Sequence, residues 1–202
     1  STMFGTTLSY VMLRLLGVAA ADPAAVAART FMQTHGGALC APSWAKFWLA
    51  VLGVYDWAGV NSMPVEMWLL PDWLPFHPGR LWCHCRMVYL PMGYIYSRRF
   101  AYPSAATDST TASLREELYL PGTRYESVDW DSARHTVADI DNYTPVGGIM
   151  RTAHNMLAYY ERLPSWLSCF GLRERGLAFA EDYIQAEDLQ TNYICIGPVN
   201  KA

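Results

Sequence analysis

Charge is scarce in this chain. Of its 202 residues only 16% are Asp, Glu, Lys or Arg, against ~25% in an ordinary soluble domain. The formal net charge is −3 and no basic run exceeds Arg98-Arg99. That argues against nucleic-acid binding, because neutralising phosphates takes clustered lysines and arginines. Long apolar runs are missing too: no window holds the ~18 to 20 uninterrupted apolar residues of a spanning helix. The opening residues, Ser1 to Gly5, have no basic stretch, so no signal peptide is expected. They lack an initiator Met, and the end lacks a polar tail, so both termini are expected to be cuts through a longer polypeptide. The five cysteines follow no disulfide-framework spacing, which favours a reducing, cytosol-facing compartment. There is no G-x-S-x-G, no P-loop and no G-x-G-x-x-G. The carboxylates Asp56, Glu66, Asp72, Glu116 and Glu117 sit at positions that read as ordinary surface, and no pair is flanked as a catalytic dyad would be.

What is present is apolar and rich in rings: 52% hydrophobic residues and 14% aromatic ones. Helical periodicity dominates, and no alternating strand pattern of useful length occurs. Leu8, Val11, Met12, Leu15 and Leu16 mark one amphipathic helix between Phe4 and Gly17, with Gly17 as its stop. Asp22-Pro23 opens a second, Asp capping and Pro in the first turn, and Gly36-Gly37 closes it. Pro42-Ser43 opens a third, with Trp44, Phe47, Trp48, Val51 and Leu52 on one wide face and Gly53 weakening its end. The Pro- and Trp-rich stretch 61–79 reads as short helical turns and ordered loop. Residues 81–100 form a helix broken or kinked at Pro91. Residues 101–111 read as a surface loop. Ser113 with Glu116 resembles a capping box that starts the next helix. A weaker helix covers 129–141, a better one runs from Thr144-Pro145 to Arg162, and Pro164-Ser165 starts the last. The fold class is all-α, built from helix pairs in a single segment over 1–202.

One stretch stands apart: Leu81-Trp82-Cys83-His84-Cys85-Arg86-Met87-Val88-Tyr89-Leu90-Pro91. It sets an indole, an imidazole and a phenol beside two thiols, with one charge. Zinc is the first thought, but Cys-x-Cys around a His, with no second ligand pair downstream, is the wrong spacing for a tetrahedral site. A core helix with a hydrogen-bonded His is the plain alternative. At ~100° per residue, however, His84 and Tyr89 lie within about 140° of each other and Cys85 and Tyr89 share a face. One helix can therefore offer rings and a thiol to a cavity. Most of the 42–57 aromatics are packing residues; Trp44, at the mouth of its helix, is the exception to watch. Residue chemistry alone ends at an aromatic-lined pocket for an apolar ligand.

Several segments go further. Ser1-Thr2-Met3-Phe4-Gly5-Thr6, Pro42-Ser43-Trp44-Ala45-Lys46-Phe47-Trp48-Leu49-Ala50-Val51-Leu52-Gly53-Val54-Tyr55, Pro64-Val65-Glu66-Met67-Trp68-Leu69-Leu70-Pro71-Asp72-Trp73, the Trp82 to Met92 stretch, Leu114 to Tyr119 and Ile194 to Lys201 resemble, in order, the oxidosqualene cyclase family of terpene cyclases and mutases. The match covers nearly the whole chain, with residues 101–143 the poorest part. Two departures are visible. The family's QW repeat is degenerate, with Phe47 to Trp57 keeping the rings but not the Gln. The D-C-T-A-E-type motif that carries the epoxide-protonating Asp is absent.

The resemblance implies an internal piece of an α/α (toroid) barrel, roughly the second quarter of a longer enzyme. That enzyme converts (S)-2,3-oxidosqualene into a tetracyclic sterol, lanosterol before cycloartenol, by carbocation cyclisation. This segment would supply cavity wall and channel gate, not the acid, and would cyclise nothing alone. Trp44 and Trp82 would line the cavity and stack on the cation or the sterol product. His84, where pentacyclic-triterpene members carry Tyr, would steer the late cation and assist deprotonation. Cys85 and Tyr89 would form the constriction between channel and cavity. No cofactor and no metal are expected. The partners implied are the substrate, its product and a membrane surface, held monotopically at the endoplasmic reticulum or a lipid droplet. A stand-alone α-helical sterol- or lipid-binding protein is the alternative, as is a fragment of a cycloartenol or pentacyclic-triterpene synthase.

Overall fold

The computed structural model describes residues 1–163 and 171–194. Among these residues there is helix, 3-10 turn and loop and no strand, as the periodicity predicts. The chain divides into two compact units. One comprises Ser1–Asn61 with Ala101–Arg151, the other Ser62–Phe100 with Thr152–Ala202.

In the first unit, α1 (Met3–Leu15), α2 (Pro23–Thr34) and α3 (Ser43–Val51) form where the caps foretell them. The Thr2 hydroxyl accepts from the Gly5 amide and the Asp22 carboxylate from the Ala24 amide, each satisfying a helix-end donor that has no partner within the helix. Gly17 and Gly53 follow α1 and α3 at φ of 88° and 74°, a left-handed conformation that ends a helix cheaply only with glycine. α1 packs on α2, α3 and α5 (Ser109–Glu117). The inward row Met3, Tyr10, Val11, Met32, Phe47 and Leu49 is almost wholly buried, and each large apolar side chain there contributes about 1.5–3 kcal/mol.

Helix α5 begins four residues before the predicted Ser113-Glu116 box. Asp108 caps it instead, its carboxylate accepting from the Thr111 amide at 2.7 Å and hydroxyl at 2.9 Å. Ser113 lies inside the helix and donates to Ser109 O. The predicted 129–141 helix is cut to α6 (Trp130–Ala133) plus a 3-10 turn, Asp139–Asp141. α7 (Gly148–Glu161) starts after Gly147 rather than at Thr144-Pro145. Glycine loses more backbone freedom in a helix than any other residue, so Gly147-Gly148 disfavours an earlier start.

The second unit is organised round α4 (Cys83–Ser97), α8 (Leu172–Gln190) and the 3-10 turn Val65–Leu69, each packed on the other two. The same unit holds the 3-10 turn Pro78–Arg80 and α7 from Thr152 onward. Small residues make the close approach possible. A Cβ on Gly176 would meet Val65 atoms at 2.9–3.1 Å, and one on Gly93 would meet the Met63 carbonyl oxygen at 3.2 Å. α4 continues through Pro91 instead of breaking there. Pro91 removes one helical hydrogen bond, but Leu90, Pro91, Met92 and Gly93 are all buried, and that packing offsets the loss. The predicted start of the last helix at Pro164-Ser165 lies outside the described residues.

Part-buried ion pairs fasten this unit. Arg173 donates from Nε to Glu66 Oε1 at 2.7 Å and from Nη2 to Glu161 Oε1 at 2.6 Å. Arg99 reaches Glu161 Oε2 at 2.9 Å, and Tyr160 donates its hydroxyl to Glu66. Glu66 is therefore an interior residue, 8% exposed, not the surface carboxylate its sequence setting suggests. Glu117 is likewise engaged, receiving two guanidinium N–H bonds from Arg14 and the Tyr10 hydroxyl.

Candidate functional site

The chemistry-bearing stretch is built by the turns that precede α4. His77 caps the turn Pro78–Arg80, its Nδ1 accepting from the Gly79 amide at 2.9 Å. Arg80 donates to the carbonyls of Asp72 and Trp73. Arg86, one turn into α4, donates from Nη1 to Gly79 O at 3.1 Å. These local bonds fix residues 72–86 as an ordered lead-in. It presents Trp73, Phe76, Leu81 and Trp82 to solvent, Trp82 at 68% exposure and Trp73 at 70%. Five aromatic or aliphatic side chains in one short stretch, counting Leu70, form an apolar surface of the kind that marks a binding face.

Trp82 is the residue just before α4, in extended conformation (φ −54°, ψ 144°), and its carbonyl accepts the first helical bond from Arg86. Its indole stacks on the imidazole of His84, centroids 4.5 Å apart and planes 18° from parallel. The two rings thus act as one unit at the mouth of α4. His84 is exposed, and its Nδ1 lies 3.1 Å from Cys83 Sγ. Cys85 is half-buried with a free thiol. Tyr89, one turn further on, is half-buried as well, on the same face of α4 at a spacing of four residues.

Trp44 belongs to the other unit. It opens α3 and is 37% exposed, while its neighbours Ala45, Lys46 and Phe47 are buried. The structure thus joins Trp82 to His84 and aligns Cys85 with Tyr89, and it sets Trp44 at a helix mouth of its own. Among the described residues no three His, Cys, Asp or Glu side chains gather closely enough to hold a metal ion. No helix there is long and apolar enough to cross a membrane.

An indole face attracts a cation by ~0.5–1 kcal/mol when wet and ~2 kcal/mol or more when dry. Such an arrangement, closed from water, would stabilise positive charge that develops on an apolar ligand. Sequence reasoning found the rings but missed two supports. The sequence sets Cys83 beside His84 but does not reveal the contact of its sulfur with Nδ1. The Glu66–Arg173–Glu161–Arg99 network joins residues as much as 107 positions apart, and no local pattern could reveal it.

Comparison with known proteins places these features in a class. A family model described as the squalene-hopene cyclase N-terminal domain matches residues 1–196. Cycloartenol synthase of Dictyostelium discoideum is 48% identical over 202 residues, covering all of this chain and 27% of that protein. Lanosterol synthase of Homo sapiens is 48% identical over 201 residues, covering all of this chain and 26% of that protein. Alpha-onocerin synthase of Lycopodium clavatum is 44% identical over 209 residues, again covering all of this chain and 26% of that protein. This chain belongs to the oxidosqualene and squalene-hopene cyclase family, and its all-helical structure is consistent with the N-terminal part of that family's α/α toroid. It spans about a quarter of the length of the curated relatives it matches.

Proposed function

We propose that this chain is the cavity-wall and channel-gate segment of a sterol-forming oxidosqualene cyclase. The longer enzyme would convert (S)-2,3-oxidosqualene to a tetracyclic sterol, with lanosterol the favoured product. The observation that carries the reading is the stacked Trp82–His84 pair at the mouth of α4, in a chain similar over its full length to lanosterol and cycloartenol synthases.

The roles follow from the chemistry. Trp82 and Trp44 offer ring faces to the carbocation, which exists only during reaction, so the attraction lowers the barrier rather than merely binding substrate. His84 steers the late cation and, together with a Tyr on another part of the longer enzyme, assists the last proton loss. Cys85 and Tyr89, aligned on α4, narrow the path by which substrate enters. The acid that opens the epoxide lies on another part of the longer enzyme. Such an enzyme takes its substrate from a bilayer, and we place it on the cytosolic face of the endoplasmic reticulum or a lipid droplet, bound to one leaflet. The exposed Trp73, Phe76 and Leu81 are apolar enough to suit either a lipid face or further helices of the enzyme.

The test is turnover of 2,3-oxidosqualene by the full-length protein containing this segment, with products identified by gas chromatography and mass spectrometry. A tetracyclic sterol is expected. A pentacyclic product would move the protein to the other branch of the family, and binding without turnover would favour a sterol-binding protein.

A further inference from the structure

The imidazole of His84 is held on two sides by its neighbours in sequence. The Trp82 ring covers one face at 4.5 Å, which fixes the plane of the imidazole. The Cys83 sulfur lies in reach of Nδ1 at 3.1 Å, which fixes the rotation within that plane. A neutral imidazole carries its proton on one nitrogen only, and the bond made by one nitrogen decides the state of the other. A thiol is a weak donor and a still poorer acceptor of a full hydrogen bond, whereas an unprotonated ring nitrogen is a good acceptor. The favourable arrangement is therefore S–H of Cys83 donating to Nδ1, with the ring proton on Nε2.

From this geometry we infer that Cys83 is a positioning residue: its thiol selects the Nε2–H form of His84. The assignment gives Cys83 a purpose distinct from its neighbour Cys85, which makes no comparable contact with the ring. It rests on the reading of His84 as a cavity residue, where a fixed Nε2–H would present one defined dipole to the ligand instead of two interchanging ones. An N–H donor at that point would hold an electron-rich alkene or hydroxyl oxygen of a polycyclic apolar substrate. An unprotonated Nε2 would instead take a proton.

The test reads the tautomer directly. In the protein labelled with 15N-histidine, long-range 1H–15N correlation spectra at neutral pH distinguish a protonated from an unprotonated Nδ1. Wild-type His84 is expected to show an unprotonated Nδ1. Cys83→Ala should shift the tautomer ratio about fivefold towards Nδ1–H, the loss of one modest hydrogen bond. Cys83→Ser, whose hydroxyl can still donate, should restore the wild-type signature. A protonated Nδ1 in the wild type, or a ratio that Cys83→Ala leaves unmoved, overturns the inference. In the full-length enzyme the same Cys83→Ala change should alter the proportions of products with KM unchanged, and Cys83→Ser should restore them. If the tautomer responds as stated but products do not, the positioning role stands and it is His84's place in the cavity that fails.

Discussion

The two units use aromatic rings in opposite ways. In the first, Tyr55, Tyr119, Tyr125 and Trp130 form an interior cluster with centroids 4.7–6.1 Å apart. Tyr119 donates its hydroxyl to the Val54 carbonyl oxygen, Arg115 lies over the Tyr125 ring while donating to Gly53 O, and the buried Tyr55 hydroxyl has no hydrogen-bond partner among the described residues. In the second unit Tyr96 is buried, its hydroxyl donating to Ser62 and Arg99 lying over its ring, ion pairs join α8 to its neighbours, and the rings of Trp73, Phe76 and Trp82 are turned outward. Edge-on ring pairs add ~0.5–1.5 kcal/mol each beyond burial, so the first arrangement builds stability. The second forgoes that burial and leaves ring faces for something else to cover. The same residue types are packed inside in one cluster and turned to solvent in the other, and burial tells them apart.

That contrast can be broken at its strongest points first. Tyr119→Ala removes a fully buried ring and should cost about 4 kcal/mol of stability, read as a lowered urea midpoint. A change below about 1 kcal/mol would mean that the cluster is not the anchor of its unit. Next, Arg173→Met leaves Glu66 with only the Tyr160 hydroxyl and Glu161 with only Arg99, and should cost about 2 kcal/mol by the same measurement. The double change Glu66→Gln with Arg173→Met should be milder, because it leaves one fewer unpaired charge.

Lys46 gives a third, smaller effect. It is 1% exposed, and its Nζ donates to Ala133 O and Thr136 O, both at 2.6 Å. Burial lowers its pKa from 10.5 to about 8. Above that value the folded state holds fewer protons than the unfolded one, so stability rises as pH increases from about 8 towards 10. The two carbonyl contacts favour the cation and keep the rise below what burial alone would give. Unfolding curves over that range should show the increase in the wild type and its loss in Lys46→Met. A slope identical in both proteins would remove Lys46 as its source. Smallest of all, Trp82→Ala should change stability by less than about 0.5 kcal/mol, as surface substitutions do, while slowing turnover of the full-length enzyme by about tenfold or more. A rate within about twofold of wild type would take Trp82 out of the cavity.

The helices were most legible where a cap is spelled out by adjacent residues. Gly17 marks the end of α1 and Asp22-Pro23 the start of α2 almost to the residue, whereas the Thr2 cap of α1 is seen only in the structure. Legibility failed where two local signals compete. Asp108 outdid Ser113 because a carboxylate accepts two bonds from Thr111, and Pro91 did not break α4 because its neighbours are buried on another element. At the candidate site the ring-bearing residues could be found from the sequence. The stacking of Trp82 on His84 could not, because it depends on the extended backbone at residue 82. Nor could the interior setting of Glu66, whose partners Tyr160 and Arg173 lie 94 and 107 positions away.

The most direct test of the central claim is the product profile of the full-length enzyme carrying His84→Ala. If the Trp82–His84 pair meets the late cation, the sterol should be joined or replaced by products of earlier or misplaced proton loss. A profile identical to wild type, from an enzyme that still turns over, would contradict the account.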